Sequence, residues 1–217
     1  MDYALFVGVP PEAVALWRDA ARRRRFRRGE VVFHHDDPGD TLHLVARGHF
    51  AIRVMTPLGD VVTLAVRSPG ETFGEMALID EDARRSATVE ALDDAETLAL
   101  RRADFDALRR EHPGVTDALV RLLAAELRHV NERLLEALYV PADRRVLRRV
   151  LELAERYTTG GGPLRVPLTQ EEIAAMAGTS RATVNRVLRR EEAAGAVRLA
   201  RGGVEIVDAE RLRRRAR

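Results

Sequence analysis

The chain has 217 residues, and its 36 basic residues are all arginine, against 34 acidic residues and no cysteine. The length allows one or two domains with an ample apolar core, and the lack of cysteine excludes disulfides, thiolate zinc sites, iron–sulfur clusters and a catalytic thiol. No apolar run is long enough to span a membrane, and no basic segment precedes the apolar N-terminus, so we expect a cytoplasmic protein without a signal peptide.

The first predicted elements are a short helix followed by a series of strands. Residues 12–23 are expected to form an amphipathic helix with Val14, Leu16 and Trp17 as its apolar contacts. The basic run 22–28 is interpreted as a solvated helix end and strand start rather than as a nucleic-acid patch. Six β-prone segments separated by Pro-, Gly- and Asp-containing turns then predict a sandwich or jelly roll: 31–33, 41–46, 50–54, 61–66, 87–91 and 96–100.

The segment 72–88 interrupts this series with residues suited to a phosphate ligand that carries a ribose. Gly74 and Glu75 are followed, ten and eleven residues after Glu75, by Arg85 and Ser86. The glycine lets the backbone approach a ligand closely, and the carboxylate can accept a ribose hydroxyl proton. Arg85 can fork onto a phosphate, with the Ser86 hydroxyl as a further donor.

A short helix beginning near Met76 and including Ala77 is expected to aim free N–H groups and a positive dipole end at that phosphate. The alternative is a surface turn in which Arg85 pairs with the acidic residues 80–82.

Two helices follow, 103–110 and the long helix 113–138. The apolar residues of the long helix step by three or four positions, and we expect a seam between two copies of the chain: Leu119, Leu123, Leu127, Val130, Leu134 and Leu138. The alternative is that this stripe packs only on its own sandwich. Pro141 is expected to break the helix and mark a hinge, before a helix that ends near residue 157 and a loop at 158–163.

The C-terminal third carries a helix-turn-helix pattern. Thr169 and Glu172 form a capping box, Gly178 ends that helix, and Ser180 caps the next, 180–193. Residues 196–207 are expected to add a two-stranded wing, and residues 141–217 hold 17 arginines against 10 acids, which suits a polyanion. The alternative is an ordinary helical hairpin with solvated arginines. The exposed face of the second helix is predicted to carry Arg181, Thr183, Asn185, Arg186, Arg189 and Arg190.

Taken together, the order of parts resembles the cyclic-AMP receptor/fumarate–nitrate regulator (Crp/Fnr) family of bacterial transcription factors over nearly the entire chain. The motifs that carry the resemblance are FGEMAL with RRSAT, the long helix ending at Pro141, and TQEEIAAMAGTSRATVNRVL. The resemblance implies an α+β protein with a jelly-roll cyclic-nucleotide sensor at 1–112. The sensor would be followed by a dimerisation helix and hinge at 113–140 and by a winged helix-turn-helix domain at 141–217.

By this resemblance Gly74 and Glu75 would meet the ribose of a cyclic nucleotide, and Arg85 and Ser86 its phosphate. Two departures from the family pattern stand out. Val130 and Asn131 occupy the positions where the cyclic-AMP receptor offers Thr-Ser toward the adenine. Ala182 replaces a glutamate of the recognition helix, so one base-reading contact is missing.

The resemblance implies a homodimer that binds a pseudo-palindromic site on double-stranded DNA, with cyclic AMP as the favoured effector and RNA polymerase as a candidate partner. The residues expected to contact DNA are Thr169, Ser180, Arg181, Ala182, Thr183, Asn185, Arg186 and Arg189. A constitutive DNA-binding protein with a vestigial pocket is the alternative. We expect no enzyme activity, because no metal cluster or nucleophile–base pair is visible, and no haem, because the six histidines lack a recognisable ligand spacing.

Overall fold

The computed structural model describes residues 6, 8–79, 84–158 and 164–217. The chain forms two compact units, residues 1–129 and residues 130–217. The acidic turn predicted at 80–82 and all but Thr158 of the loop predicted at 158–163 lie outside the described residues. Within the described parts, no helix is long and apolar enough to cross a membrane.

The N-terminal unit is rich in strands, which are short and separated by turns. Its strands are β1 Arg22–Phe26, β2 Val31–Phe33, β3 Thr41–Arg47, β4 Phe50–Met55, β5 Val61–Arg67, β6 Thr72–Phe73, β7 Thr88–Ala91 and β8 Ala95–Arg101. Helix α1 Pro11–Ala20 precedes them, α2 Arg102–Glu111 follows, and α3 Gly114–Tyr139 runs on past the end of the unit. The six predicted strand segments are all present, and β1 and β6 were not predicted as strands.

The strands pair antiparallel into two four-stranded sheets, in the orders β1-β8-β3-β6 and β2-β7-β4-β5. Alternation along β3 explains how the layers stack, because successive side chains of a strand point to opposite faces. Leu42 and Leu44 pack with residues of α1, α2 and α3, whereas Val45 packs with Phe50 and Phe73 between the two sheets. The predicted jelly-roll type of sandwich is therefore observed, with helices on one outer face.

The predicted helix at 12–23 is wrong at its C-terminal end. Helix α1 stops at Ala20, and Arg22–Phe26 pairs with β8 as an edge strand. On one face of that edge, Arg23 and Arg25 bind Glu96 at 2.7 and 3.0 Å. The basic run is a charged sheet edge, a composition that discourages pairing with other chains.

The C-terminal unit begins inside α3 and is mainly helical. Its elements are α4 Ala142–Tyr157, β9 Arg165–Val166, α5 Gln170–Ala177, α6 Arg181–Ala193, β10 Val197–Ala200, β11 Gly203–Ile206 and α7 Ala209–Ala216. Pro141 is the N-cap of α4, as expected for a residue that stops the preceding helix. Strand β9 extends the predicted two-stranded wing to three strands in the order β10-β11-β9. Helix α7, which begins where the Asp208 side chain accepts from Arg211 N, was not predicted.

Candidate functional sites

A cavity of the N-terminal unit gathers most of the predicted phosphate-binding residues. It is partly open to solvent, and its empty space, with the adjoining open solvent included, amounts to about 430 Å³. Gly74, Glu75, Met76, Ala77, Arg85 and Ser86 all line it, although eleven residues separate the two ends of that set in the sequence. Phe73, Arg84 and Ala87 of the same segment also line it, and residues outside that segment complete the lining: Phe33, Ile52, Arg67 and Val89.

Gly74 occupies a position that only glycine fits. Its φ is 82°, in the left-handed region, and it precedes a turn of 3-10 helix at Glu75–Leu78. A Cβ on Gly74 would lie 2.7 Å from Nη1 of Arg85 and 2.9 Å from the carbonyl oxygen of Thr41. A side chain here would therefore displace Arg85 as well as strain the backbone.

Arg85 is buried, with only 7% of its surface exposed. Its Nη1 donates to the carbonyl oxygen of Thr41 at 2.8 Å and to that of Gly74 at 3.4 Å. Its guanidinium lies over the Phe33 ring, 4.0 Å from the centroid, in a cation–π contact. These contacts hold the guanidinium in the cavity wall and fix the orientation of its plane.

The charge of Arg85 is not neutralised within the described part of the chain. Its Nε is buried without a hydrogen-bond partner there, and no described carboxylate lies within salt-bridge distance. Burial lowers the pKa of the Arg85 guanidinium, opposed by the more distant Asp40 and Asp37. A buried cation of this kind is costly without a counter-charge, so the cavity suits an anionic ligand. The alternative in which Arg85 pairs with the acidic residues 80–82 falls outside the described residues.

The predicted short helix begins near Met76, at Glu75, but it is only one 3-10 turn. The Ala77 N–H donates to the carbonyl oxygen of Gly74 at 3.2 Å, so it is not free for a ligand. Ala77 is buried, whereas Met76 and Ser86 are exposed at the cavity. Because a single turn has little dipole, the expected dipole contribution is a minor one and Arg85 is the main positive group.

Glu75 shares its side of the cavity with Arg67. Burial raises the pKa of the Glu75 carboxyl, and the positive charges of Arg67 and Arg85 oppose that rise. Arg67 in turn binds Glu126 of α3 at 2.5 Å. This ion pair ties the cavity wall to the first half of the long helix. No local pattern predicts this ion pair, because β5 and α3 are remote along the chain.

Val130 and Asn131 lie outside this lining. Both are exposed on α3, with Val130 exposed by 57%, in the stretch that follows the N-terminal unit. The described residues that line the cavity all lie between positions 33 and 89.

A buried histidine supports the cavity from behind. The His43 ring stacks on Phe73, the residue before Gly74, with 4.9 Å between centroids and 5° between planes. Its Nδ1 lies 3.0 Å from Oγ1 of Thr97. Burial, and then the charges of Arg85 and Arg24, lower the pKa of His43 to about 3.

We expect acid to destabilise the protein through His43. Its folded-state pKa lies below its ordinary value, so the neutral ring stabilises the fold fully above about pH 6.5, and this stability is lost as the pH falls toward 3. At pH 5 the loss is about 2 kcal/mol. Denaturant unfolding at pH 7 and pH 5 measures it. His43→Gln, which keeps a partner for Thr97, removes this dependence; an equal pH effect in both proteins would contradict the assignment.

The C-terminal unit contains the predicted helix-turn-helix, with its predicted caps. Thr169 Oγ1 accepts from the Glu172 N–H, while the Glu172 carboxylate accepts from the Thr169 N–H. Gly178 ends α5 in the left-handed conformation, and Ser180 accepts from the Thr183 N–H at the start of α6. These caps stabilise both helix ends at the turn. The apolar side of the pair is buried: Ile173, Ala174, Ala177, Val184, Val187 and Leu188.

The other face of α6 presents the predicted DNA-contacting residues to solvent. Ser180, Arg181, Ala182, Asn185, Arg186, Arg189 and Arg190 are exposed, Thr183 is half-buried, and Thr169 is exposed at the start of α5. Arg181 has no side-chain partner among the described residues, and together with Asn185 it lines a groove beside the wing. Asn185 Nδ2 donates to Oε1 of Gln170 at 3.0 Å.

The remaining arginines of this face are paired. Arg189 binds Glu192 at 2.8 Å, one turn along the same helix. Arg186 and Arg190 both bind Asp143, at 2.9 and 3.1 Å, in the first turn of α4. The sequence did not indicate these Asp143 contacts, because 43 residues separate Asp143 from Arg186.

The apolar stripe of α3 divides into a buried part and an exposed part. Leu119 is buried and Leu123 packs beside it, against the helices and β3 of their own unit. The rest of the stripe is more than half exposed: Leu127, Val130, Leu134 and Leu138. Val120, Leu135 and Tyr139 are also exposed by more than half. The alternative in which the stripe packs only on its own sandwich therefore describes its first part alone.

Comparison with known proteins agrees with this architecture. A cyclic nucleotide-binding domain model matches residues 23–112, and a Crp-like helix-turn-helix domain model matches residues 144–215. A cyclic AMP receptor protein from Thermus thermophilus is 42% identical over 94% of this chain and 93% of its own length. A CRP-like cAMP-activated global transcriptional regulator from Mycobacterium tuberculosis is 36% identical over 98% of this chain and 96% of its own.

A solved structure is also similar along the whole length. The Thermus thermophilus catabolite activator protein shares 38% identity, with 98% of each chain covered and a TM-score of 0.57. The matches run through the cavity-forming sandwich, the long helix and the capped helix pair. The chain therefore belongs to the Crp/Fnr family of DNA-binding transcription regulators, proteins that are not enzymes.

Proposed function

We propose that the protein is a homodimeric transcription regulator whose DNA binding is controlled by a cyclic nucleotide, with cyclic AMP as the favoured effector. The observation that carries this proposal is Arg85, a buried guanidinium in the cavity wall that no carboxylate of the described residues neutralises. A cyclic phosphate would supply the missing negative charge and an acceptor for Nε. The Mycobacterium relative is a cAMP-activated regulator and the Thermus relative is a cyclic AMP receptor protein, which supports the choice of effector.

In this proposal the ribose lies against Gly74 and Glu75. The close backbone approach at Gly74 leaves room for the sugar, and the Glu75 carboxylate accepts a ribose hydroxyl proton. Because burial raises the Glu75 pKa, that hydrogen bond stabilises a carboxylate that is otherwise poorly solvated. Ser86, exposed at the cavity beside Arg85, adds a hydroxyl to the phosphate.

The base would be held by Val130 and, from the partner subunit, by Asn131. Valine offers no hydrogen-bonding group, so the purine edge is read by fewer polar contacts than with a hydroxyl residue. Because the nucleotide would contact the long helices of both subunits, its binding would favour one arrangement of these helices. This population shift would set the spacing of the two recognition helices.

Calorimetry of the purified protein with cyclic AMP, cyclic GMP and cyclic di-GMP tests the effector assignment. We expect one site per chain, with cyclic AMP tightest and discrimination against cyclic GMP limited by Val130. Restoring the hydroxyl with Val130→Thr should raise the preference for cyclic AMP by about tenfold, the value of about one hydrogen bond. A wild-type protein that already prefers cyclic AMP over cyclic GMP by several thousandfold would contradict this account of the base site. Tightest binding of cyclic di-GMP would reject the effector choice itself.

The DNA face in this proposal is α6 with the adjoining ends of α5 and the wing. Arg181, which has no side-chain partner within the described parts of the chain, would fork onto guanine O6 and N7 in the major groove. Ala182 offers only a methyl, so we expect relaxed sequence demand at its base pair. Two such helices in a dimer would read a pseudo-palindromic site with half-sites about one helical turn apart. RNA polymerase is a candidate partner at such a site.

A second candidate function is constitutive DNA binding with a vestigial pocket. The observation that favours it is Val130, which removes a polar contact to the base. Electrophoretic mobility shifts with and without cyclic AMP separate the two functions. Equal DNA affinity in both conditions, together with no heat of nucleotide binding, would establish the constitutive function.

A further inference from the structure

Asp143 holds two arginines of the proposed reading helix. Its Oδ1 accepts from Nη2 of Arg186 at 2.9 Å, and its Oδ2 accepts from Nη1 of Arg190 at 3.1 Å and from Nη1 of Arg186 at 3.4 Å. Arg186 and Arg190 are four residues apart, so they lie one above the other on the same face of α6. A single carboxylate therefore bridges both terminal nitrogens of one arginine and one nitrogen of the next.

The position of Asp143 strengthens its hold on these arginines. It lies in the first turn of α4, where the helix dipole favours a carboxylate. Its side chain is 29% exposed, against 63% for Arg186 and 43% for Arg190. Hydrogen bonding by Arg186, the largest cause, and the nearby positive charges lower the pKa of Asp143, so it is ionised at neutral pH.

We propose that Asp143 competes with DNA for Arg186 and Arg190, so that it weakens binding to DNA of arbitrary sequence and sharpens discrimination between sequences. A guanidinium whose two terminal nitrogens face a carboxylate cannot present that edge to a phosphate or to guanine at the same time. Any DNA must therefore displace Asp143 before Arg186 can contact it. A guanine in register then offers Arg186 a bidentate contact through O6 and N7, whereas DNA without that guanine offers no such base edge. This is specificity obtained by penalising the wrong partner.

The inference rests on the DNA-reading surface proposed above. It predicts a change in the salt dependence of DNA binding when the charge of Asp143 is removed. Neutralising Asp143 would free Arg186 for a phosphate contact and would free Arg190 in part, because Nε of Arg190 also binds Glu191 at 3.3 Å. Because each neutralised phosphate adds about 0.9 to the salt dependence of binding, the slope of log affinity against log salt should steepen by about 1 to 2.

The test uses Asp143→Asn in the full-length protein, with saturating cyclic AMP and a labelled duplex of random sequence titrated at several salt concentrations. We expect affinity to rise by about tenfold at low salt, together with the steeper slope. In competition between duplexes enriched by the wild-type protein and the random pool, discrimination should fall. Unfolding transitions verify that the variant is folded.

Glu210→Gln is the matched control. Glu210 also lies in the first turn of a helix and also pairs with an arginine, Arg213 at 2.8 Å, but on α7 rather than at the reading helix. It should leave the slope and the discrimination unchanged.

Failure of the inference and failure of the reading surface give different results. If Arg186→Ala with Arg190→Ala leaves DNA binding unchanged, the reading surface itself is wrong. If that double variant weakens DNA binding, the effect of Asp143→Asn decides the inference. Weaker binding would mean that Asp143 supports the arginines, and unchanged binding would mean that it has no influence on them. Either result refutes the competition. Adding Asp143→Asn to the double variant should have no effect on binding; a rise there would place its action elsewhere and overturn the inference.

Discussion

Replacing Arg85 by alanine is expected to weaken cyclic AMP binding by about a hundredfold or more. The guanidinium is 7% exposed, so its contact with a phosphate would be made away from bulk water and would not be heavily screened. A charge-assisted, bidentate contact in such a place contributes about 2–4 kcal/mol. Titration calorimetry measures the change directly.

Two further variants distinguish loss of the contact from general damage. Arg84→Ala removes the neighbouring arginine, which is exposed at the cavity and donates to the carbonyl oxygen of Asp36, and it should cost far less affinity. Arg85→Lys keeps the charge but not the fork, so intermediate affinity is expected. Unchanged affinity in Arg85→Ala would refute the phosphate-site assignment.

The burial of Arg85 also affects the stability of the ligand-free protein. An exposed arginine could be removed with little effect on that stability. Here Arg85→Ala also leaves the carbonyl oxygens of Thr41 and Gly74 without this donor and uncovers the Phe33 ring. Thermal unfolding of the unliganded variant is therefore a necessary companion measurement, made with Arg85→Lys alongside it.

The sequence predicted those parts of the pocket that are local in the chain. Gly74 and Glu75 adjoin each other, and Arg85 with Ser86 follows at a spacing that can be recognised directly. Phe33 and Thr41, which hold the Arg85 side chain, are 52 and 44 residues away from it, and strand pairing alone brings them together. The residue pattern of one strand does not show which residues of another strand will lie opposite it.

The same distinction explains the errors elsewhere. The capped helices α5 and α6 were predicted closely, because Thr169, Gly178 and Ser180 fix their ends by local hydrogen bonds. The predicted helix extended too far, to residue 23, because arginine is a good helix former; pairing of β1 with β8 overrides that propensity. The contacts of Asp143 with α6, like the contact of Phe33 with Arg85, could not be predicted from the sequence. In both cases the contact joins elements that are far apart in the sequence.

Replacing Leu134 by glutamate is expected to weaken self-association by about a thousandfold. Leu134 is 55% exposed in the single chain, within the exposed part of the α3 stripe. Burying a leucine contributes about 1.5–3 kcal/mol, and a symmetric dimer loses two of them while placing two carboxylates in an apolar seam. A total of about 4 kcal/mol or more corresponds to this change in the dissociation constant.

Sedimentation velocity over a concentration series measures the dissociation constant, with Ala125→Glu as the matched control. Ala125 is exposed on the same helix but about 180° around it from Leu134, so the same charge is introduced away from the seam. The control should have the same dissociation constant as the wild type, and circular dichroism should show that the helix content of both variants is unchanged. A monomeric wild-type protein, or equal dissociation in the two variants, would contradict the seam. Because a two-fold DNA site needs two reading helices, the Leu134→Glu protein should also bind DNA with the affinity of a single half-site.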